Sequence, residues 1–285
     1  MQESSAAHAV IVGHDGIVLR PLASHADYDE AVTLQDEIWG AGFSDRVPAS
    51  ILRVGQKVGG VSAAAFDPNG RMLGFVFGLT GVRGGRLVHW SDMLAVREDA
   101  RGKQLGERLK QYQREVVRDL GVQTMYWTFD PLVARNAHFN LNRLGASIAD
   151  YIPNFYGSNT GSILHGALPT DRFVAEWEIT PEGRVPAERA SATANADAPR
   201  TTVIHDGKPR AIDPLPDAAT VRVSIPPDIE PVLASDADMA LAWRLAVRQA
   251  ITHYLARGYR VTAFHRGDER ELPAYELTRS SSNHP

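Results

Sequence analysis

The sequence predicts an α/β chain, an α+β arrangement built around a mixed sheet, and three observations carry that reading. Short apolar or alternating runs at 17–22, 61–66, 72–79, 87–96, 125–131 and 173–179 have the length and composition of strands. Segments with apolar residues at helical spacing are interleaved with them rather than gathered at one end. Past a stretch rich in Pro, Ala, Ser and Asp, the order strand–helix–strand–strand resumes toward the C-terminus.

Taken in order, the strand at 17–22 is followed by a helix in which Tyr28, Ala31, Leu34 and Ile38 share a face and Ser24 and Asp27 stand where a cap belongs. Pro48 suits the first turn of a second helix over 48–57. The run Asp67-Pro68-Asn69-Gly70 is a turn between strands 61–66 and 72–79. Strand 87–96 leads into a helix over 103–120 that stops at Gly121. Strand 125–131 precedes a helix over about 133–144. A strand within 146–152, the loop Asn154-Phe155-Tyr156-Gly157 and strand 173–179 complete this block. Residues 180–219 have the composition of a linker or surface excursion. Strand 221–226, one long helix over 235–257 with Leu241, Leu245, Val247, Ile251 and Leu255 on its apolar face, and strands 259–264 and 274–279 follow; residues 280–285 are expected to fray.

Composition bounds the chemistry. The chain has 285 residues and a formal net charge of −4, which gives no reason to expect a nucleic-acid partner. It has no cysteine, so a thiol nucleophile, a thiolate metal site and disulfides are excluded, and no metal is expected. The N-terminus lacks a signal-peptide pattern, and no apolar run approaches the roughly 18–20 residues that cross a bilayer. A soluble cytoplasmic protein without a membrane partner is the expectation.

The stretch VREDARGKQLGERLK, 96–110, stands out. It turns from a strand into an amphipathic helix carrying Leu105, Leu109, Tyr112, Val116 and Leu120 on one side. Its first turn is basic and glycine-flanked, although a helix N-terminus favours negative charge. Unpaired backbone N–H groups there can receive a phosphate, and glycines let the backbone come close to it. An ordinary strand-to-helix turn with solvated charges fits these six residues equally well.

The segment MLAVREDARGKQLGERLK resembles the acyl-coenzyme A binding motif of the GNAT acyltransferases: Gln or Arg, two residues, Gly, one residue, then Gly or Ala. The hydrophobic–Val pair before it, the element order from 17 to 179, and Asn136 ahead of a helix ending in Leu144-Gly145 extend the likeness over about 160 residues. Two positions depart from the pattern. Gln104 replaces the first motif glycine, and Leu141 stands where many members carry a tyrosine that protonates the leaving thiolate.

The resemblance implies a GNAT domain over 15–180, a linker over 181–219 and an extension over 220–279, with a partial repeat of the fold as one reading of the extension. It implies acetyl-CoA or another acyl-CoA as co-substrate, held by Leu94, Ala95, Val96, Arg101, Gly102, Lys103, Gln104, Leu105, Gly106 and Asn136. Attack by an amine on the thioester needs a base and an acid. Alternation along strand 87–96 puts Asp92 on the face of Val96, which makes it the leading base; His89 reads as structural or as lying on the other face. Tyr156 is the acid candidate, with Tyr151 beside it. Arg172 can clamp a substrate carboxylate or pair with an acid of the protein itself; Asp45 and Arg46 are weaker candidates. The expected activity is N-acylation of a small primary amine, an amino acid being one acceptor and succinyl an alternative to acetyl. A homodimer is an allowed assembly. The competing reading is a non-catalytic acyl-CoA sensor or a degenerate transferase used as an interaction module.

Overall fold

The computed structural model describes residues 10–157, 160–162, 168–179, 198–205 and 208–280. The first part of the expected linker, 180–197, and most of the expected frayed end, 281–285, lie outside them. Two compact units divide the chain. Among the described residues the first comprises 10–127, 160–162 and 178–179, and the second 128–157, 168–177, 198–205 and 208–280. No helix among the described residues is long and apolar enough to cross a membrane.

The first unit contains β1 (Ile11–Val12), β2 (Val18–Pro21), α1 (His25–Trp39), α2 (Ala49–Lys57), β3 (Val61–Phe66), β4 (Met72–Arg83), β5 (Arg86–Val96) and α3 (Leu105–Asp119). The boundary between the units falls inside β6 (Thr124–Phe129), after Trp127. Strands β1 to β5 pair antiparallel in chain order, and β6 joins β5 in parallel. The mixed α/β class read from the sequence is the class observed. A parallel neighbour needs a crossover, and α3 supplies it.

Local chemistry explains these elements. Ser24 and Asp27 form a capping box at α1, with Asp27 N–H donating to Ser24 Oγ at 3.1 Å and Ser24 N–H to Asp27 Oδ2 at 3.2 Å. The Arg20 guanidinium, 2.6 Å away, holds the Asp27 carboxyl well below the usual range despite desolvation. Tyr28, Ala31 and Leu34 of α1 and Leu52 of α2 close over Ala64, Phe66, Phe75, Phe77, Met93 and Ala95 on one face of the sheet. On α3, Leu105, Leu109, Tyr112 and Val116 are buried as their spacing requires. Gly78 is indispensable where α3 meets the sheet: a Cβ there would lie 2.3 Å from His89 Nε2 and 2.6 Å from the Trp90 carbonyl.

The second unit holds α4 (Ala134–Ala137) and a π-helical turn, His138–Arg143, where the sequence reads as one helix over 133–144. It continues with β7 (Ser147–Ile152), β8 (Arg172–Glu178, ending at Trp177 in this unit), β9 (Thr202–His205) and β10 (Lys208–Ala211). Next come β11 (Thr220–Ser224), α5 (Ile229–Ser235), α6 (Ala237–Leu255), β12 (Tyr259–His265) and β13 (Ala274–Arg279). β7 and β8 pair antiparallel, β9 and β10 form a hairpin inside the segment read as a linker, and the extension makes an antiparallel sheet in the order β11-β13-β12.

One expectation for the extension is corrected. A short helix, α5, stands ahead of the helix expected over 235–257, which is α6, capped by Asp236 accepting from Met239 N–H at 2.9 Å. Its buried face is not the leucine face: Leu241 and Leu245 are exposed, while Trp243, Arg244, Val247, Ile251 and Tyr254 are buried. Several aromatic contacts seat the extension within this unit. Tyr275 lies 5.0 Å from Phe173, ring to ring, and its hydroxyl donates to the Pro131 carbonyl at 2.8 Å.

Candidate functional site

Strand β5 is irregular in two ways that matter. Its register with β4 slips between Phe77, opposite Met93, and Gly78, opposite Ser91, so Asp92 has no partner on β4 and forms a β-bulge. The bulge reverses the alternation. Ser91 Oγ accepts from Lys110 Nζ of α3 at 2.7 Å, while Met93 packs in the core under α1. The ladder with β6 also stops early. It joins Val88, His89 and Trp90 to Thr124, Met125 and Tyr126, while β5 runs on from Ser91 to Val96. Arg97 N–H donates to the Leu73 carbonyl at 2.9 Å, so the backbone groups of Ala95 and Arg97 turn to β4 and those of Leu94 and Val96 turn to the open edge.

That edge runs into the basic turn. After a 3₁₀ turn at Glu98–Ala100, Gly102 has φ +85° and Gln104 has φ +57°. Helix α3 therefore starts at Leu105, not 103, with Gln104 as a left-handed N-cap whose side chain makes no capping bond. The position asks for glycine, which is why a glutamine there departs from the motif; its left-handed backbone costs roughly 1–2 kcal/mol. Arg101, Gly102, Lys103 and Gln104 are exposed, Gly106 half-buried and Leu105 buried. Arg101 pairs only loosely with Glu98, at 3.8 Å on an exposed surface. The open N–H groups of the first helical turn and the basic side chains thus face solvent together.

Asp92 is reachable by solvent yet flanked by protein, and desolvation raises its pKa; a hydrogen bond from the Trp90 side chain opposes this and the Asp45 charge adds to it. His89 is fully buried. Gln113 Nε2 lies 2.9 Å from its Nε2 and Thr80 Oγ1 lies 2.9 Å from its Nδ1, and burial pushes its pKa down to about 3, with the Lys110 charge adding. A neutral ring held at both nitrogens is a structural group. Lys110, unremarked in the sequence, is buried beside the Trp127 ring at 4.0 Å, and desolvation lowers its pKa.

The other residues singled out by sequence lie in the second unit. Tyr156 donates to or accepts from Thr128 Oγ1 at 2.9 Å, and the Arg172 guanidinium lies over its ring at 5.1 Å. Arg172 is buried, reaches Asp130 at 3.4 Å and donates to the Asp171 carbonyl at 2.8 Å. The Tyr151 hydroxyl donates to Asp171, and burial raises its pKa before that bond does. Asn136 is half-buried on α4, and Leu141 is buried in the π-helical turn. Four residues not singled out by sequence complete this network. Arg244 donates to Asp130 Oδ2 at 2.6 Å, and Arg248 grips Asp171 with two donors, Nε at 2.9 Å. Arginines four apart on the face of Val247 and Ile251 are the signal that would have found them.

No protein-family model and no curated protein matches the sequence. Solved structures similar to it include the NatC complex bound to Gag peptide and CoA, 18% identical with a TM-score of 0.44, covering 57% of this chain and 99% of that one. Another is aminoglycoside 6'-acetyltransferase type Ii, 20% identical with a TM-score of 0.45, covering 57% of this chain and 97% of that one. A third is the ribosomal-protein-S18-alanine N-acetyltransferase from Escherichia coli, 18% identical with a TM-score of 0.44, covering 59% of this chain and 97% of that one.

Proposed function

We propose that the chain is an acyl-CoA-dependent N-acyltransferase that moves an acetyl or succinyl group to a small primary amine, an amino acid being the acceptor class favoured. One arrangement supports this reading: the β5 edge left open from Ser91 to Val96 leads straight into a left-handed, basic turn at the start of α3. The open edge offers the Leu94 and Val96 backbone groups to the pantetheine arm, with Ala95 between them. The turn offers Arg101, Gly102, Lys103, Gln104, Leu105 and Gly106 to the pyrophosphate, and Asn136 is a further proposed contact.

In the proposed reaction the amine nitrogen attacks the thioester carbonyl. A C–N bond forms, the C–S bond breaks and free CoA leaves. Asp92 takes a proton from the amine, directly or through water; its raised pKa makes it a better base than an ordinary carboxylate. Tyr156 is the proposed donor to the thiolate, and Tyr151 and Arg172 are proposed to shape substrate binding. The transferase domain over 15–180 with its extension, a cytoplasmic location and a homodimer belong to the same proposal. Free-thiol release from acetyl-CoA and succinyl-CoA, with and without amines, tests it. Amine-dependent release supports transfer, whereas acyl-CoA binding without release favours the non-catalytic sensor.

A further inference from the structure

A buried lysine of the first unit sits beside the β5 bulge and takes no part in the proposed chemistry. Lys110 of α3 is 2% exposed, its Nζ donates to Ser91 Oγ at 2.7 Å, and it lies 4.0 Å from the centre of the Trp127 ring. Burial pulls its pKa down, and no carboxylate offsets that desolvation. An apolar side chain of similar length would avoid the cost. One turn along the helix, Gln113 reaches His89 at 2.9 Å. Helix α3 thus holds β5 by two directional contacts, at His89 and at Ser91.

These contacts set the phase of the strand. His89 and Ser91 are two residues apart, and both meet α3. Unbroken alternation would bring Met93 and Ala95 to the same side. Both pack instead in the core under α1, so the face changes at Asp92. Were the bulge to close, Ser91 and Met93 would share a face, and either Lys110 would lose its acceptor or Met93 its core. Lys110 does not act on Asp92 by charge, since the Asp92 pKa answers to burial, the Trp90 side chain and the Asp45 charge. We propose that Lys110 is a positioning residue which, by holding Ser91 against α3, fixes the bulge and with it the direction of the Asp92 carboxylate. This role rests on the transferase reading, in which Asp92 is the base.

The test is the double variant Lys110→Met/Ser91→Ala in the full chain. Removing both partners leaves neither unpaired, and methionine keeps the length and a favourable contact with the Trp127 ring, so the variant should fold and melt close to wild type. Its kcat for amine-dependent thiol release should fall at least about tenfold, with acyl-CoA affinity by calorimetry within about twofold of wild type. The acid limb of its rate profile should move down toward the ordinary carboxylate range, because an Asp92 released from the bulge is better solvated. Carbon-13 NMR of the Asp92 carboxyl, assigned by its absence in Asp92→Asn, reads the same shift without turnover. An unmoved Asp92 titration, an unchanged kcat in an active chain, or a double variant that does not fold would each overturn the proposal, the last by making the pair a structural one. If the wild-type chain releases no thiol while the NMR titration moves as expected, the positioning stands and the transferase reading fails.

Discussion

Ser91 and Met93 stand two residues apart on one strand and are buried against opposite layers of the first unit. The residue between them, Asp92, has no partner on β4, so the strand shifts its phase there. A carboxylate at such a bulge is aimed by the backbone rather than by packing, which suits a group that must meet a substrate.

Asp92→Asn keeps the shape and removes the base. Turnover should fall by about 10²–10⁴-fold with acyl-CoA affinity nearly preserved. Because the Asp92 pKa is raised, the acid limb of the wild-type rate profile should lie above the ordinary carboxylate range. The stability sign runs the other way. A carboxyl whose folded pKa is raised contributes stability at low pH and loses it as pH climbs through that pKa, so the Asn chain should melt no lower than wild type at pH 8. Steady-state rates and melting curves across pH check both halves.

Gln104 holds a left-handed conformation that glycine adopts freely. Gln104→Gly should leave stability within about 0.5 kcal/mol, since relief of strain is offset by the freedom glycine regains on unfolding. Its CoA affinity should be equal or better. Gln104→Val forces a β-branched residue into the same backbone and should cost about 2 kcal/mol together with most of the CoA affinity. Calorimetric affinities for the pair decide whether the turn's geometry matters for binding.

His89 links acidity to stability. Its pKa falls from the ordinary 6.5 to about 3 in the folded chain, so the unfolded state binds the extra proton between those values. Stability should therefore drop steadily as pH falls from 6.5 toward 3. His89→Gln should show a shallower slope between pH 6.5 and 4.5, above the range where the depressed carboxylates of Asp130 and Asp171 lose their charge.

How much of this was legible depended on whether local chemistry or distant partners set the outcome. Ser24 and Asp27, three residues apart, fixed the start of α1, and the spacing of Leu105, Leu109, Tyr112 and Val116 fixed the buried side of α3. The mixed sheet followed from the alternation of strands and helices. The bulge at Asp92 was not legible, because it is defined by the register of β4 across the turn. The buried side of α6 was misread because leucine outranked the real anchors: Arg244 is buried for its bond to Asp130, far away in sequence, and no periodicity counts an arginine as core. The left-handed backbone at Gln104 was hidden for a similar reason, since its side chain gives no hint of it.

A chain ended after residue 182 should be poorly soluble or unfolded. Phe173 would lose the Tyr275 ring, Asp130 would lose Arg244 and Asp171 would lose Arg248. Removing one partner of a buried ion pair costs about 3–5 kcal/mol, comparable with the whole stability of a domain. A shortened chain that melts at the wild-type temperature would show these contacts to be dispensable.

The most direct measurement is free-thiol release from acetyl-CoA and succinyl-CoA by the full chain, with a panel of amino acids and simple amines, beside the Asp92→Asn chain. The account expects thiol release that depends on an amine, saturates with acyl-CoA and falls at least about a hundredfold in the Asn chain. Release no faster than hydrolysis with every amine, from a folded chain that binds acyl-CoA, would contradict it.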